Sequence, residues 1–265
     1  MEAYEGFASV YDVFMEDTDY DQWVEYIHQI WERDGHKPKL IADLGCGTGN
    51  VTERLARKGY DMIGIDISED MLAEAKQKAE AEGLDILYLL QDMREFELYG
   101  TVNCVLSLFD SLNYITEEED LLQVFRLVNN YLHPGGLFIF DLNTEYKFHA
   151  ILGQNTFAET REDTAYIWEN YYDEDEKINE FYMNFFIRQC DGTGYERVEE
   201  VHYEKAYSMD KIKELLQVSG MELVGIYEAF TFDEPKEDTE RIYVVAKEIM
   251  KTEICDVLQE EMKHE

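Results

Sequence analysis

Basic residues are scarce in this chain: 23 Lys and Arg stand against 59 Asp and Glu over 265 residues, for a formal net charge of −36. Nucleic-acid binding depends on cations that displace condensed counterions from phosphates, so this composition is set against a DNA or RNA partner. Long apolar runs are lacking as well. None approaches the ~20 residues that span a bilayer, and Met1-Glu2-Ala3-Tyr4-Glu5 carries neither the basic nor the apolar block of a secretion signal. No membrane association is expected, and the expected compartment is the cytoplasm. The four cysteines, Cys46, Cys104, Cys190 and Cys255, are widely separated and form no C-x-x-C pair, which fits reduced thiols. The six His show no paired ligand spacing and the acidic runs lack the glycine of a calcium loop, so no metal is expected. A serine nucleophile elbow and a Walker loop are also missing.

What the chain does have is Leu40-Ile41-Ala42-Asp43-Leu44-Gly45-Cys46-Gly47-Thr48-Gly49-Asn50, an apolar run that breaks into three alternate glycines. A strand that ends in such a bend and restarts as a helix brings bare backbone N–H groups and a helix N-terminus against a ligand, as in a nucleotide-type cofactor site. The spacing is G-x-G-x-G, whereas dinucleotide enzymes use G-x-G-x-x-G. Asp43, two residues before the first glycine, would repel a pyrophosphate and attract a sulfonium or an α-ammonium. The bend therefore favours a cationic cofactor.

Beyond the bend, a helix over Asn50 to Lys58 stops at Gly59, and Tyr60 to Asp66 reads as a second strand with an acidic end. Ser68 caps a helix whose Met71, Leu72, Ala75 and Ala79 keep helical spacing up to Gly83. A third strand covers Leu84 to Leu90, closed by Gln91-Asp92-Met93, and a fourth runs from Val102 to Leu108. Thr116 with Glu119 predicts a capping box for a helix that ends at Leu132-His133-Pro134-Gly135-Gly136, and the strand Leu137 to Asp141 follows. This alternation predicts an α/β fold with a doubly wound, mostly parallel, seven-stranded Rossmann-like sheet.

From Thr156 to Tyr207 the rhythm changes to aromatic-rich alternation with turn signals at Asp173-Glu174-Asp175 and Asp191-Gly192-Thr193-Gly194, which predicts an antiparallel β insert of about three strands over one edge of the sheet. A helix from Ser208 to Ser219 and strands Leu223 to Phe230 and Arg241 to Ala246 return to the main sheet. The expected organisation is a cofactor-binding domain from 1–155 and 208–247, the insert 156–207 as a substrate cap, and a helical or frayed tail over 248–265.

With these pieces in order the chain resembles a class I S-adenosylmethionine-dependent methyltransferase from about Tyr4 to Ala246. The residues that carry the resemblance are Asp43-Leu44-Gly45-Cys46-Gly47-Thr48-Gly49, Asp66, Gln91-Asp92-Met93 and His133-Pro134-Gly135-Gly136. It implies S-adenosyl-L-methionine as cofactor, with Asp43, Gly45, Gly47 and Gly49 at the bend and Asp66 on the ribose hydroxyls, a place where NAD enzymes also put an acid. It implies that Asp92 accepts from the adenine amino group, that Met93 and Ile67 contact the ring, and that the Leu108 backbone meets the amino-acid end. Met71 serves equally as core or cofactor wall. An N-terminal F-x-x-x-Y-D stretch, here Phe7 to Asp12 within the aromatic stripe Tyr4, Phe7, Tyr11 and Phe14, would fold over the cofactor as a lid, with Tyr11 and Trp23 as contacts.

The insert resembles that of small-molecule N-methyltransferases, which implies a small-molecule acceptor, with an amine as one option. Tyr11, Asn113, Tyr114, Tyr171, His202 and Tyr207 are the acceptor-pocket candidates, and His202, Asp110 or a tyrosine is a candidate to take a proton from an amine. Two other readings stay open: an NAD-dependent oxidoreductase on the same sheet, and a cofactor-binding sensor without turnover. Oligomeric state is left open by the residue pattern.

Overall fold

The computed structural model describes residues 8–189 and 192–251, with side chains from Tyr11 onward. Tyr4, Phe7, Cys190, Cys255 and the tail beyond Lys251 lie outside the described residues. Helix α1 (Ala8–Phe14) precedes α2 (Tyr20–Asp34), and then strands and helices alternate: β1 (Leu40–Leu44), α3 (Asn50–Arg57), β2 (Asp61–Asp66), α4 (Glu69–Glu82), β3 (Ile86–Leu90), β4 (Val102–Ser107), α5 (Glu118–Tyr131) and β5 (Leu132–Asn143). Four strands follow, β6 (Thr156–Thr160), β7 (Thr164–Asp173), β8 (Ile178–Arg188) and β9 (Tyr195–Lys205). Helix α6 (Met209–Val218), β10 (Met221–Glu228) and β11 (Arg241–Glu248) complete the chain.

The main sheet has seven strands in the order β10-β11-β5-β4-β1-β2-β3. It is parallel from β5 to β3, and β11 runs antiparallel to both β5 and β10. Successive residues of the central strands point to opposite faces, and both faces are covered, so the strands are apolar almost throughout. Cys104, Leu106, Leu137 and Ile139 pack with Trp23, Ile27, Trp31 and Leu55 on the α2 and α3 side. Val105, Phe138 and Phe140 pack with Phe125, Val128, Ile212 and Leu216 on the α5 and α6 side. Strand order reverses direction between β1 and β4, and the carboxyl ends of these two strands diverge there to leave a crevice. Among the described residues, no helix is long and apolar enough to cross a membrane.

The insert forms a separate antiparallel sheet, β6-β7-β8-β9. It has four strands where the aromatic pattern predicts about three, because Thr156–Thr160 pairs with β7 as an edge strand too short to show clear alternation. Its inner face brings Phe185 against Met71 of α4, with Tyr11 and Phe14 of α1 alongside. Other departures are local. Helix α2 has no counterpart in the expected element order, although Asp19 accepts from the Gln22 N–H at its start and left-handed Gly35 marks its end. Thr116 does not cap α5: the cap position falls one residue later, at Glu117, with no side-chain hydrogen bond, and Glu118, Glu119 and Asp120 face the N-terminal partial charge instead.

His133-Pro134-Gly135-Gly136 lies within β5 as a bulge rather than before it, since Val102 pairs with Leu132 and Cys104 already pairs with Leu137. The bulge needs a residue without Cβ at Gly136, where such an atom would come 2.8 Å from the His133 carbonyl and 2.9 Å from the Asn103 carbonyl. We expect Gly136→Ala to cost about 1–3 kcal/mol in urea denaturation, because backbone rather than a flexible side chain must yield. Gly100→Ala, which meets open space, should leave the midpoint unchanged.

Candidate active site

The crevice holds a cavity of about 260 Å³, walled by the glycine bend, the ends of β2 and β3, the loop after β4, and α1 and α2. Its polar floor begins at β1. Asp43 is buried, and its carboxylate accepts from the Thr52 hydroxyl at 2.6 Å across the first turn of α3. Burial pushes its pKa up to about 7, Thr52 opposes the shift, and nearby Asp66 adds to it. Asp66, at the end of β2, accepts from the Gly47 N–H at 2.8 Å and from the Ser68 N–H at 2.9 Å. Burial raises this carboxyl as well, against those backbone hydrogen bonds. A carboxylate has about four acceptor positions, so its backbone hydrogen bonds still leave Asp66 able to take more.

The glycines divide their work. Gly45 (φ +71) lets the bend meet the β4 loop, since a Cβ there would lie 2.6 Å from Ser111 Oγ. At Gly47 (φ +54) a Cβ would meet no protein atom, and the residue lines the cavity with bare backbone. Gly49 is turned the other way: a Cβ would lie 2.5 Å from the Tyr88 hydroxyl, so this glycine serves packing between α3, α4 and β3 and does not line the cavity.

Ile67, Met71, Asp92, Met93 and Leu108 all line the cavity, as do Tyr11 and Tyr114. Asp92 is also tied to Arg94, whose Nε donates to both carboxylate oxygens at 3.0 Å. Burial pushes the Asp92 carboxyl up, but the Arg94 hydrogen bonds outweigh it and hold the group below the usual carboxylate range. Tyr20, Thr48, Asn50, Phe109, Gln91 and Arg94 complete much of the lining without having been named as site residues from the residue pattern. Thr48 and Gln91 lie inside the quoted motifs and Asn50 opens the helix after the bend, so these three were within reach, whereas the others carry no motif.

The structure does not bring the remaining candidates to the cavity wall. Trp23 stacks behind Phe109, with ring centroids 3.9 Å apart, and supports the wall from the core. Asn113 is buried as a strut, donating to the carbonyls of Asn143 at 3.2 Å and Lys205 at 2.8 Å. Tyr207 donates its hydroxyl to the Ile115 carbonyl inside the core. Tyr171 is 46% exposed on the outer face of the insert, edge-on to Tyr182, because its strand parity points it away from α1 and α4. His202 is buried, bonded to Glu200 at 2.9 Å, and stands one layer back with its ring edge-on to Tyr114.

Beside the cavity, the loop after β4 places Phe109 (φ +59) and Asp110 (φ +56) consecutively in the left-handed region, a costly arrangement for residues with a Cβ. Arg241, at the start of β11, holds it. The guanidinium donates to Asp110 Oδ1 at 2.7 Å and to Asp141, and the Asp110 N–H donates to Asp141 at 3.1 Å. Glu204, from the end of β9, joins the same buried cluster and accepts from Asn143 at 3.3 Å; Asn143 in turn accepts from Lys147 at 2.8 Å. Burial pushes Glu204 well up, and Asp110 adds to the shift. Asp141 rises to about 6, chiefly through burial and against Arg241. Asp110 stays low because the Arg241 charge outweighs its burial. Asp110, Asp141 with Lys147, Glu204 and Arg241 come from four separate stretches of chain, so no local pattern announces the cluster.

A mostly parallel sheet with a glycine bend at its switch point, an acidic β2 end and a cavity between them define a Rossmann-like protein with a nucleotide-type cofactor site. The family model for the methyltransferase domain matches residues 41–136. YqeM of Bacillus subtilis (strain 168), which carries a methyltransferase name, is 37% identical over 245 residues, covering 92% of this chain and 96% of that protein. A solved S-adenosylmethionine-dependent methyltransferase from Clostridium acetobutylicum superposes with a TM-score of 0.83 at 32% identity, covering 92% of this chain and 98% of that one. The dTDP-3-amino-3,4,6-trideoxy-alpha-D-glucopyranose N,N-dimethyltransferase of Streptomyces venezuelae is 29% identical over 134 residues, half of this chain and 55% of that protein. The chain belongs to the class I S-adenosylmethionine-dependent methyltransferases, and S-adenosylmethionine is its cofactor.

The raised Asp43 carboxyl has a measurable consequence. An unfolded Asp ionises near ~3.9, so between that pH and about 7 the folded protein holds a proton that the unfolded chain releases. Stability contributed by this group is full below the unfolded value and falls as pH rises through about 7. Asp43→Asn should remove that fall, and urea midpoints of the two proteins measured across this range should converge at acid pH and separate toward neutrality.

Proposed function

We propose that this methyltransferase acts on the nitrogen of a small amine, with the cavity holding the cofactor and the β4 loop presenting the acceptor. When bound, S-adenosylmethionine supplies a methyl group on a positively charged sulfur that is already a good leaving group. In this reading Asp66 takes the ribose hydroxyls, Asp43 faces the cationic amino-acid end, and Ile67, Met93 and Asp92 border the adenine. Tyr11 and Tyr114 face the acceptor, and the insert closes that side. The chain's main contribution is alignment and exclusion of water, which supplies on the order of 7 kcal/mol or more.

The observation that carries the amine reading is the acidic cluster beside the cavity, where Asp110 is paired to Arg241 at 2.7 Å and the buried Glu204 accepts from Asn143 at 3.3 Å. Arg241 keeps Asp110 ionised, while burial and the Asp110 charge push Glu204 toward its protonated form. Asp110 lies between Phe109 and Ser111, which both line the cavity. An ammonium acceptor must lose a proton before its nitrogen can attack, and an acidic border both attracts the cation and takes that proton. A carboxylate acceptor, already anionic, gains nothing from a further negative neighbour, and a neutral hydroxyl is not drawn to it as a cation is. The Streptomyces venezuelae relative, whose name specifies an N,N-dimethyltransferase, supports the same acceptor atom.

The test is a panel of small amines, hydroxyl compounds and carboxylates incubated with methyl-labelled cofactor. Transfer to amines is expected, with Glu204→Gln lowering kcat on the order of 10²-fold and leaving KM for the cofactor little changed. Transfer confined to hydroxyl or carboxyl acceptors would overturn the amine assignment, and an undiminished kcat in Glu204→Gln would remove the acidic cluster from it.

A further inference from the structure

Helix α1 is seven residues long, too short to persist in water without tertiary contacts. What holds it is therefore informative. Its Phe14 ring packs against Tyr166 and Phe185 of the insert, with centroids 5.0 and 5.7 Å apart. Just beyond the helix, Asp17 pairs with Arg161 of the insert at 2.6 Å. On the opposite side Asp12 reaches the cofactor machinery. One carboxylate oxygen accepts from the Thr48 hydroxyl and the Asn50 amide, both at 2.7 Å, and the other accepts from Lys78 of α4, also at 2.7 Å. Lys78 donates in addition to Asn50 Oδ1 at 3.2 Å, which closes the network into a ring.

Thr48 and Asn50 flank Gly49 at the point where the bend becomes α3, and both line the cavity, as does Tyr11, the residue beside Asp12. A single carboxylate thus fastens the helix carrying a cavity-wall tyrosine to the bend, to α3 and to α4. Burial pushes the Asp12 carboxyl up, yet its hydrogen bonds to Lys78, Thr48 and Asn50 hold it below the usual range, so it is charged at neutral pH.

We propose that Asp12 is a positioning residue for cofactor binding: its carboxylate is the latch that closes α1 over the cavity, so that latching and cofactor retention are one coupled equilibrium. The coupling is reciprocal. A bound cofactor touching Tyr11 favours the latched helix, and the latched helix slows the cofactor's escape. The inference rests on assigning the cavity to the cofactor.

The probe is S-adenosylhomocysteine, the demethylated product, with binding read by calorimetry, its release rate by stopped flow, and the accessibility of residues 8–19 by limited proteolysis. Asp12→Asn keeps the shape and removes the charge. We expect it to weaken binding and speed release about tenfold, within the usual span of coupling energies, while the melting temperature without ligand falls by only a few degrees, the protein staying folded at the assay temperature. Ligand should protect the α1 segment from cleavage in the native protein and fail to do so in Asp12→Asn. Lys78→Met should weaken binding in the same sense, and the double variant should lose less than the sum of the single losses. Binding within about twofold of the native protein, or full ligand protection in Asp12→Asn, would overturn the latch. Gly47→Val separates the two assumptions: if it leaves binding intact, the cavity assignment itself fails, and if it abolishes binding while Asp12→Asn does not, only the latch fails.

Discussion

The hydrogen bond from the Gly47 N–H to the Asp66 carboxylate, 2.8 Å long, is the constraint on which the site depends. It joins the bend after β1 to the end of β2, and the Gly45 and Cys46 N–H groups reinforce it by donating to the Ile65 carbonyl at 2.8 and 3.1 Å. With both neighbours tied, the bend is held in place and Gly45 and Gly47 keep their backbone toward the cavity. The same bond leaves Asp66 buried beside Asp43. Two carboxyl groups taken out of water near one another raise each other's cost of ionisation, and a cationic ligand is what relieves it. The crevice is thus electrostatically prepared for a sulfonium cofactor by the same contacts that shape it.

The acceptor side rests on a second balance. Two consecutive left-handed residues, Phe109 and Asp110, each carry strain of about 1–3 kcal/mol, and such strain survives only where the surroundings over-determine the backbone. Arg241 and Asp141 do this from below, while Trp23 stacked on Phe109 does it from the side. The main sheet therefore presents the β4 loop as a fixed feature, whereas α1 and the insert, joined through Phe14 and Asp17, form the cover opposite it. In the proposed reading, cofactor and acceptor lie between that floor and that cover.

Much of this was legible in residue order. The alternation of strands and helices, the glycine bend, the acidic ends at Asp66 and Asp92 and the antiparallel insert all rest on local chemistry: backbone freedom, capping and hydrophobic period. Errors were local too. The bulge at His133-Pro134-Gly135-Gly136 resembles a turn because proline and glycine mark both, and only pairing with β4 tells them apart. Tyr171 and Phe185 belong to the same aromatic-rich insert, yet one is exposed outside and the other buried against Met71. Strand parity relative to the rest of the fold makes that choice, and composition does not contain it.

The amino-acid order by itself determined where the chain bends without side chains and which carboxylates close the strands, because φ preference and hydrophobic spacing act over a few residues. Only the tertiary structure decided that Arg241 meets Asp110 across 131 positions, that Asn143 meets Glu204, and that Asp12 fastens α1 to Lys78. Those contacts follow from sheet order and register. Ion pairs between distant segments leave no periodic trace along the chain, and their energies come from a burial that exists only once the layers have packed.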